Sequence, residues 1–171
     1  IIQGPLDTQF NFTLETILLY EKIFPGACVI LSTWEGEDSD TIEMVRKSGA
    51  VVLQNRQPPV RDKWNVNLQL TSTYNALLYA KEQGYEYSMK TRTDLRIYRY
   101  DVFDYLLSML KIFPLRETNK QYQRLIVSSF ATKKYRLYGI TDFFMFGDTK
   151  DLLAFWGAPH YEEGVKPYID P

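Results

Sequence analysis

Apolar runs and apolar stripes alternate along the first half of the chain. Ile1-Ile2 reads as the end of a strand, and Gln3-Gly4-Pro5 turns it sharply. Glycine admits unusual backbone angles there and proline fixes the exit. Residues 12–24 place Leu14, Ile17, Leu18 and Phe24 on one helical stripe, which Pro25-Gly26 stops. Residues 27–32 form a continuous apolar strand, followed by Thr33-Trp34-Glu35-Gly36. Asp40 and Glu43 have the spacing of a capping box and open a short helix that ends at Gly49. Residues 50–54 make a third strand. Pro58-Pro59 exclude regular structure before residue 64. Asn65 is then expected to cap a helix running to about residue 83. Val66, Leu70, Tyr74, Leu77 and Leu78 are its apolar stripe, with Asn67, Gln69 and Thr73 off it near the strand tips. A fourth strand over 86–92 follows Gly84. Strands alternating with helices predict an α/β fold with a Rossmann-like, mostly parallel sheet.

Beyond residue 95 the alternation loosens. Residues 101–113 read as a helix with Val102, Tyr105, Leu106 and Met109 on one side, and Pro114 ends it. A polar linker leads to a short strand at 125–127. Residues 140–147 read as a strand led by Asp142, and a helix over 149–156 follows. The chain is expected to be a single domain over 1–171, cut at both ends, with residues 1–95 and 96–171 as its two halves.

The fourth strand carries the first chemical signal. Alternate side chains of a strand share a face. One face here carries Tyr87, Met89, Thr91 and Thr93; the other carries Ser88, Lys90, Arg92 and Asp94. Three charges thus crowd the C-terminal end of a strand that should be central and apolar. Ligands of open α/β sheets bind beyond that end. The charges either neutralise one another or serve a charged ligand, with Asp94 on a metal or sugar and the cations near phosphate. Gln3-Gly4 at the first strand tip reads alone as an ordinary tight turn. Trp34 reads as a plug of the sheet edge or as a stacking surface for a flat ring.

Composition narrows the classes. The chain has 171 residues, 24% of them charged, with a net charge of -1, so bulk electrostatics gives no sign of nucleic-acid binding. No apolar run approaches the roughly 20 residues of a membrane-spanning helix. Cys28 is the one cysteine, so no disulfide framework exists. Arg56, Arg61 and Lys63 make one loop basic, and Lys133, Lys134 and Arg136 another; both sets read as solvated. His160, the one histidine, reads as plain surface.

Five stretches occur in order at sensible spacing: Gln3-Gly4-Pro5, Leu31-Ser32-Thr33-Trp34, Asn67-Leu68-Gln69, Lys90-Thr91-Arg92-Thr93-Asp94 and Thr141-Asp142-Phe143-Phe144-Met145-Phe146-Gly147. In them the chain resembles the WavE family of lipopolysaccharide-synthesis proteins over nearly its whole length. The resemblance implies a GT-A type nucleotide-diphospho-sugar transferase fold. It implies a nucleotide-sugar donor, a glycan or lipid-linked acceptor, and a cytoplasmic place with peripheral contact at the inner face of the membrane. The donor-binding residues it points to are Gln3, Gly4, Pro5, Trp34, Asn67, Gln69, Lys90, Arg92 and Asp94. GT-A enzymes commonly hold a divalent metal, manganese or magnesium, with an Asp-x-Asp motif after the fourth strand. Asp94 is the tentative ligand here, but the motif reads Arg92-Thr93-Asp94 and has one aspartate. Arg92 or Lys90 is the alternative partner of a diphosphate.

Asp142 is the expected catalytic carboxylate, oriented by Thr141, with Glu162 and Glu163 as fallbacks. Two rival functions stand beside glycosyl transfer. One is a metal-dependent phosphohydrolase using Asp94, Asp142 and His160; the other is a non-catalytic sugar-binding or scaffold domain.

Overall fold

The computed structural model describes residues 1–61, 64–116, 120–133, 135 and 139–162. Lys63, Lys134, Arg136 and Glu163 lie outside them. The elements are β1 (Ile2–Gln3), α1 (Phe12–Ile23), β2 (Ile30–Trp34), α2 (Ser39–Ser48), β3 (Val51–Asn55), α3 (Val66–Glu82), β4 (Tyr87–Arg92), α4 (Val102–Ile112), β5 (Ile126–Val127), β6 (Met145–Asp148) and α5 (Thr149–Trp156). They form a mixed α/β structure around one six-stranded sheet of order β3-β2-β1-β4-β6-β5. The first four strands are mutually parallel, as the β-α alternation predicts. β6 runs antiparallel to β4, and β5 antiparallel to β6.

The period of two along the strands sorts the core into two layers. On one face Ile2, Leu31, Met89 and Phe146 meet Ile17 and Tyr20 of α1, Val45 of α2, and Leu106 and Leu110 of α4. On the other, Met145 packs with Leu70 and Leu77 of α3 and Leu152 and Trp156 of α5. Ile30 meets Ala76 and Ala80 of α3 there. Each fully buried aliphatic or aromatic side chain contributes roughly 1.5–3 kcal/mol. Helices on both faces leave the ends of the strands as the open edges of the sheet.

Several local expectations change in the folded chain. Asp38, not Asp40, caps α2: its carboxylate accepts from the Thr41 amide at 2.8 Å. Asn65 stands at the N-terminus of α3 with φ 56° but makes no side-chain cap. The buried side of α3 includes Asn67, Ser72 and Thr73, while Tyr74 is exposed. Strand and loop groups bond Asn67 and Ser72 there, whereas the buried Thr73 hydroxyl has no hydrogen-bond partner among the described residues. Tyr105 of α4 faces solvent and Leu110 takes the core position instead. β2 starts three residues later than the apolar run and ends on Trp34, which pairs with Asn55. β6 begins only at Met145, so Asp142 lies in an irregular segment before the strand.

Candidate functional site at the strand tips

The strand order reverses at β1, which sits between β2 and β4. A crevice opens at such a switch point beyond the C-terminal ends of the parallel strands. The register places the expected residues there. Gln3 of β1 pairs with Ser32 of β2 and with Arg92 of β4. Trp34 and Asp94 each lie two residues further on, so both occupy the same end of the sheet. β6 runs the other way, which brings the segment entering it, with Asp142, to that end as well.

The floor of the crevice is a backbone lattice. The Gly4 amide donates to the Ser32 carbonyl and the Thr93 amide to the Gln3 carbonyl, both at 3.1 Å. Gly4 has φ +125°, and a Cβ there would stand 2.8 Å from Thr93 Oγ1. Only glycine allows the first strand to exit this close to the fourth. Pro5 beside it is exposed. Glu37 Oε1 accepts from the Leu6 amide and the Thr33 hydroxyl, tying the exits of β1 and β2 together.

Most of the polar residues expected at the donor site serve this floor instead. The Gln3 side chain is buried, and its Oε1 accepts from Ser72 at 2.8 Å. Ser32 donates to the Ser72 carbonyl and accepts from Asn55. Trp34 is 5% exposed and plugs the edge between β2 and its surroundings, so its ring offers no open stacking face. The Asn67 side chain donates to the Val60 and Tyr161 carbonyls and accepts from the Tyr161 amide, joining α3 to two loops. Gln69 donates to the Trp64 carbonyl.

The charged residues assemble as one cluster. Arg92 grips Asp94 through a two-pronged fork, Nε to Oδ1 at 2.9 Å and Nη2 to Oδ2 at 2.6 Å. Its Nη1 reaches Asp142 Oδ2 at 3.3 Å. Lys90 is fully buried; its Nζ donates to the Asp142 carbonyl and lies 4.0 Å from Asp142 Oδ2. The ammonium also sits 4.8 Å from the centre of the Trp156 ring, a favourable place for a cation. Burial pushes the Lys90 pKa down from 10.5 to about 8, against the opposing pull of Asp142. The hydrogen-bonded Arg92 holds the Asp94 carboxyl below its usual value. Two cations thus pair directly with two carboxylates at the strand tips.

Asp142 is therefore oriented by Arg92 and Lys90. The expected partner, Thr141, accepts from the Phe143 amide instead. Asp142 Oδ1 has no hydrogen-bond partner among the described residues, and the side chain is about a quarter exposed, at 27%. Sequence reasoning missed the aromatic layer beside it. Arg92 lies 5.1 Å over the Phe143 ring, and Phe143 stacks on Phe130 at 5.5 Å. Phe130 is 71% exposed, so the outer ring offers its free side to solvent. Loop residues far apart in sequence give no periodic signal for such a stack.

A family model described as WavE lipopolysaccharide synthesis matches residues 1–167. The chain belongs to the WavE lipopolysaccharide synthesis family. No curated protein matches it. The WavE match spans both the parallel strands and the segment that brings Asp142 to their tips, so cluster and floor fall within one family unit.

A divalent cation fits the described residues poorly. Both Asp94 oxygens are engaged by Arg92, and Arg92 also takes Asp142 Oδ2. No group of three His, Cys, Asp or Glu side chains comes together among the described residues. The phosphohydrolase reading needs such a group from Asp94, Asp142 and His160. His160 instead lies 3.2 Å from the Thr71 hydroxyl on the surface. No helix among the described residues is long and apolar enough to cross a membrane.

Proposed function

We propose that this WavE-family chain is a glycosyltransferase of GT-A type, moving a sugar from a nucleotide-sugar donor to a glycan or lipid-linked acceptor of lipopolysaccharide synthesis. The observation that carries the reading is Asp142: one oxygen pinned by Arg92 and Lys90, the other without a partner among the described residues, at the switch point of the parallel strands. The donor lies over the tips of β1 and β4, with its diphosphate toward Arg92. The acceptor approaches from the Phe130–Phe143 side.

In an inverting transfer Asp142 Oδ1 takes the proton of the acceptor hydroxyl. The hydroxyl oxygen attacks the anomeric carbon, and the bond from that carbon to the diphosphate breaks. The nucleoside diphosphate leaves with the electron pair. Positioned general-base catalysis contributes roughly a hundredfold to ten-thousandfold. A base must also be held still, and the two cations fix Asp142 without occupying Oδ1.

Release of nucleotide from UDP-, GDP-, ADP- and CMP-sugars, measured with saccharides from lipopolysaccharide as acceptors, tests this. Asp142→Asn should lower turnover by about a hundredfold or more with nucleotide affinity nearly unchanged. Turnover within a few-fold of wild type removes Asp142 from the role.

A further inference from the structure

Resting on the glycosyl-transfer reading, we propose that Arg92, backed by Lys90, holds the donor diphosphate through its spare N–H donors where a divalent metal would otherwise stand, and that Asp94 is the brace that aims the guanidinium. The geometry of the fork carries this. A carboxylate that ligates a metal must present an oxygen to it, yet each Asp94 oxygen already accepts an Arg92 N–H, so a metal there would stand beside the guanidinium charge. A guanidinium has five N–H donors. Asp94 takes two of them and Asp142 one, leaving two without a partner among the described residues. One of these belongs to Nη1 and one to Nη2, and a guanidinium presents such N–H groups to phosphate as charge-assisted hydrogen bonds.

The planar group is held along two edges and over one face. Asp94 braces one edge, Asp142 the neighbouring corner, and the Phe143 ring one face at 5.1 Å. It therefore loses little side-chain freedom when an anion arrives. Lys90 lies behind it on the same face of β4, buried and fixed by the Asp142 carbonyl and the Trp156 ring. With Asp94 and Asp142 balanced by these two cations, the cluster is neutral, and the two spare donors meet an anion without a net repulsive charge beside them.

Calorimetric titration of the wild-type chain with UDP, GDP, ADP and, as a monophosphate comparison, CMP, in EDTA and then in manganese, decides the matter. At least one of the three nucleoside diphosphates should bind in EDTA within about threefold of its affinity in manganese. Arg92→Met should weaken that binding at least tenfold, and Arg92→Lys, which keeps the charge but not the fork, nearly as much. Asp94→Asn should weaken it by less. Binding that requires manganese and disappears in Asp94→Asn overturns the proposal while leaving glycosyl transfer standing. Binding to none of the four in either condition removes both readings together.

Discussion

Lys90 offers a measurable signature of the cluster. Its ammonium is fully buried, and burial lowers its pKa from 10.5 to about 8. The unfolded chain therefore binds more protons than the folded one between those values, and stability must rise with pH across that window. Below about pH 8 the lysine is charged in both states, and the folded chain bears the whole burial penalty. The shift corresponds to roughly 3 kcal/mol. Replacement of Lys90 by methionine, of similar length, removes this titration and leaves the others in place. The stability of wild type minus that of Lys90→Met should then climb by about 1 kcal/mol from pH 7 to pH 9, and by between about 2 and 3 by pH 10. Urea unfolding of both proteins at pH 7, 8, 9 and 10 gives the difference directly. Taking the difference cancels the alkaline titration of the tyrosines. A flat difference across that range, or one that falls, would refute the claim that the ammonium is held in a dry site.

Three further outcomes follow from named contacts. Gly4→Ala should cost more than Gly26→Ala in the same unfolding assay. Both have positive φ, but only at Gly4 does the new carbon meet a neighbour, Thr93 Oγ1 at 2.8 Å; about 2 kcal/mol or more is expected against about 1. Phe130→Ala should leave stability within about 0.5 kcal/mol because the ring is exposed, yet raise the acceptor concentration for half-saturation about tenfold, equivalent to roughly 1.4 kcal/mol. An unchanged value would take the ring out of acceptor binding. The Asp94 carboxyl is held below its ordinary 3.8 by the Arg92 fork, so its contribution is present above that pH and is lost as pH falls through the lower folded value. Acid unfolding of Asp94→Asn should lack this component, and identical acid profiles would show that the fork contributes nothing to folding.

The first four strands and the helices between them were legible because their apolar spacing is regular and Gly or Pro marks the ends. That Gln3, Trp34 and Asp94 gather at one end of the sheet was legible for the same reason: residues at parallel strand ends must share one edge. What each residue does there was harder to read. Gln3, Trp34 and Asn67 carry groups suited to a ligand, yet the fold spends them on its own interior. Whether an amide bonds a ligand or a neighbouring carbonyl depends on the approach of α3, which no local pattern encodes. The face of β4 with Lys90 and Arg92 was foreseen, and so was their association with acids. The grip of Lys90 on the Asp142 backbone was not, because it joins segments 52 residues apart. The late start of β6 escaped too, since Phe143 and Phe144 look like strand residues while serving a loop.

The reversed direction of β6 has a wider consequence. In an all-parallel sheet each new strand would deliver its preceding loop to the far side, and only its following loop to the crevice. Here the connection from β5 to β6 leaves and re-enters the sheet at the end where β4 has its tip, since Val127 and Lys90 both pair with Met145. A change in it acts directly on β4, because Asp142 is the partner of both the buried Lys90 and Arg92. A single reversed strand thereby gives the parallel half a second source of side chains at the tips it already fills.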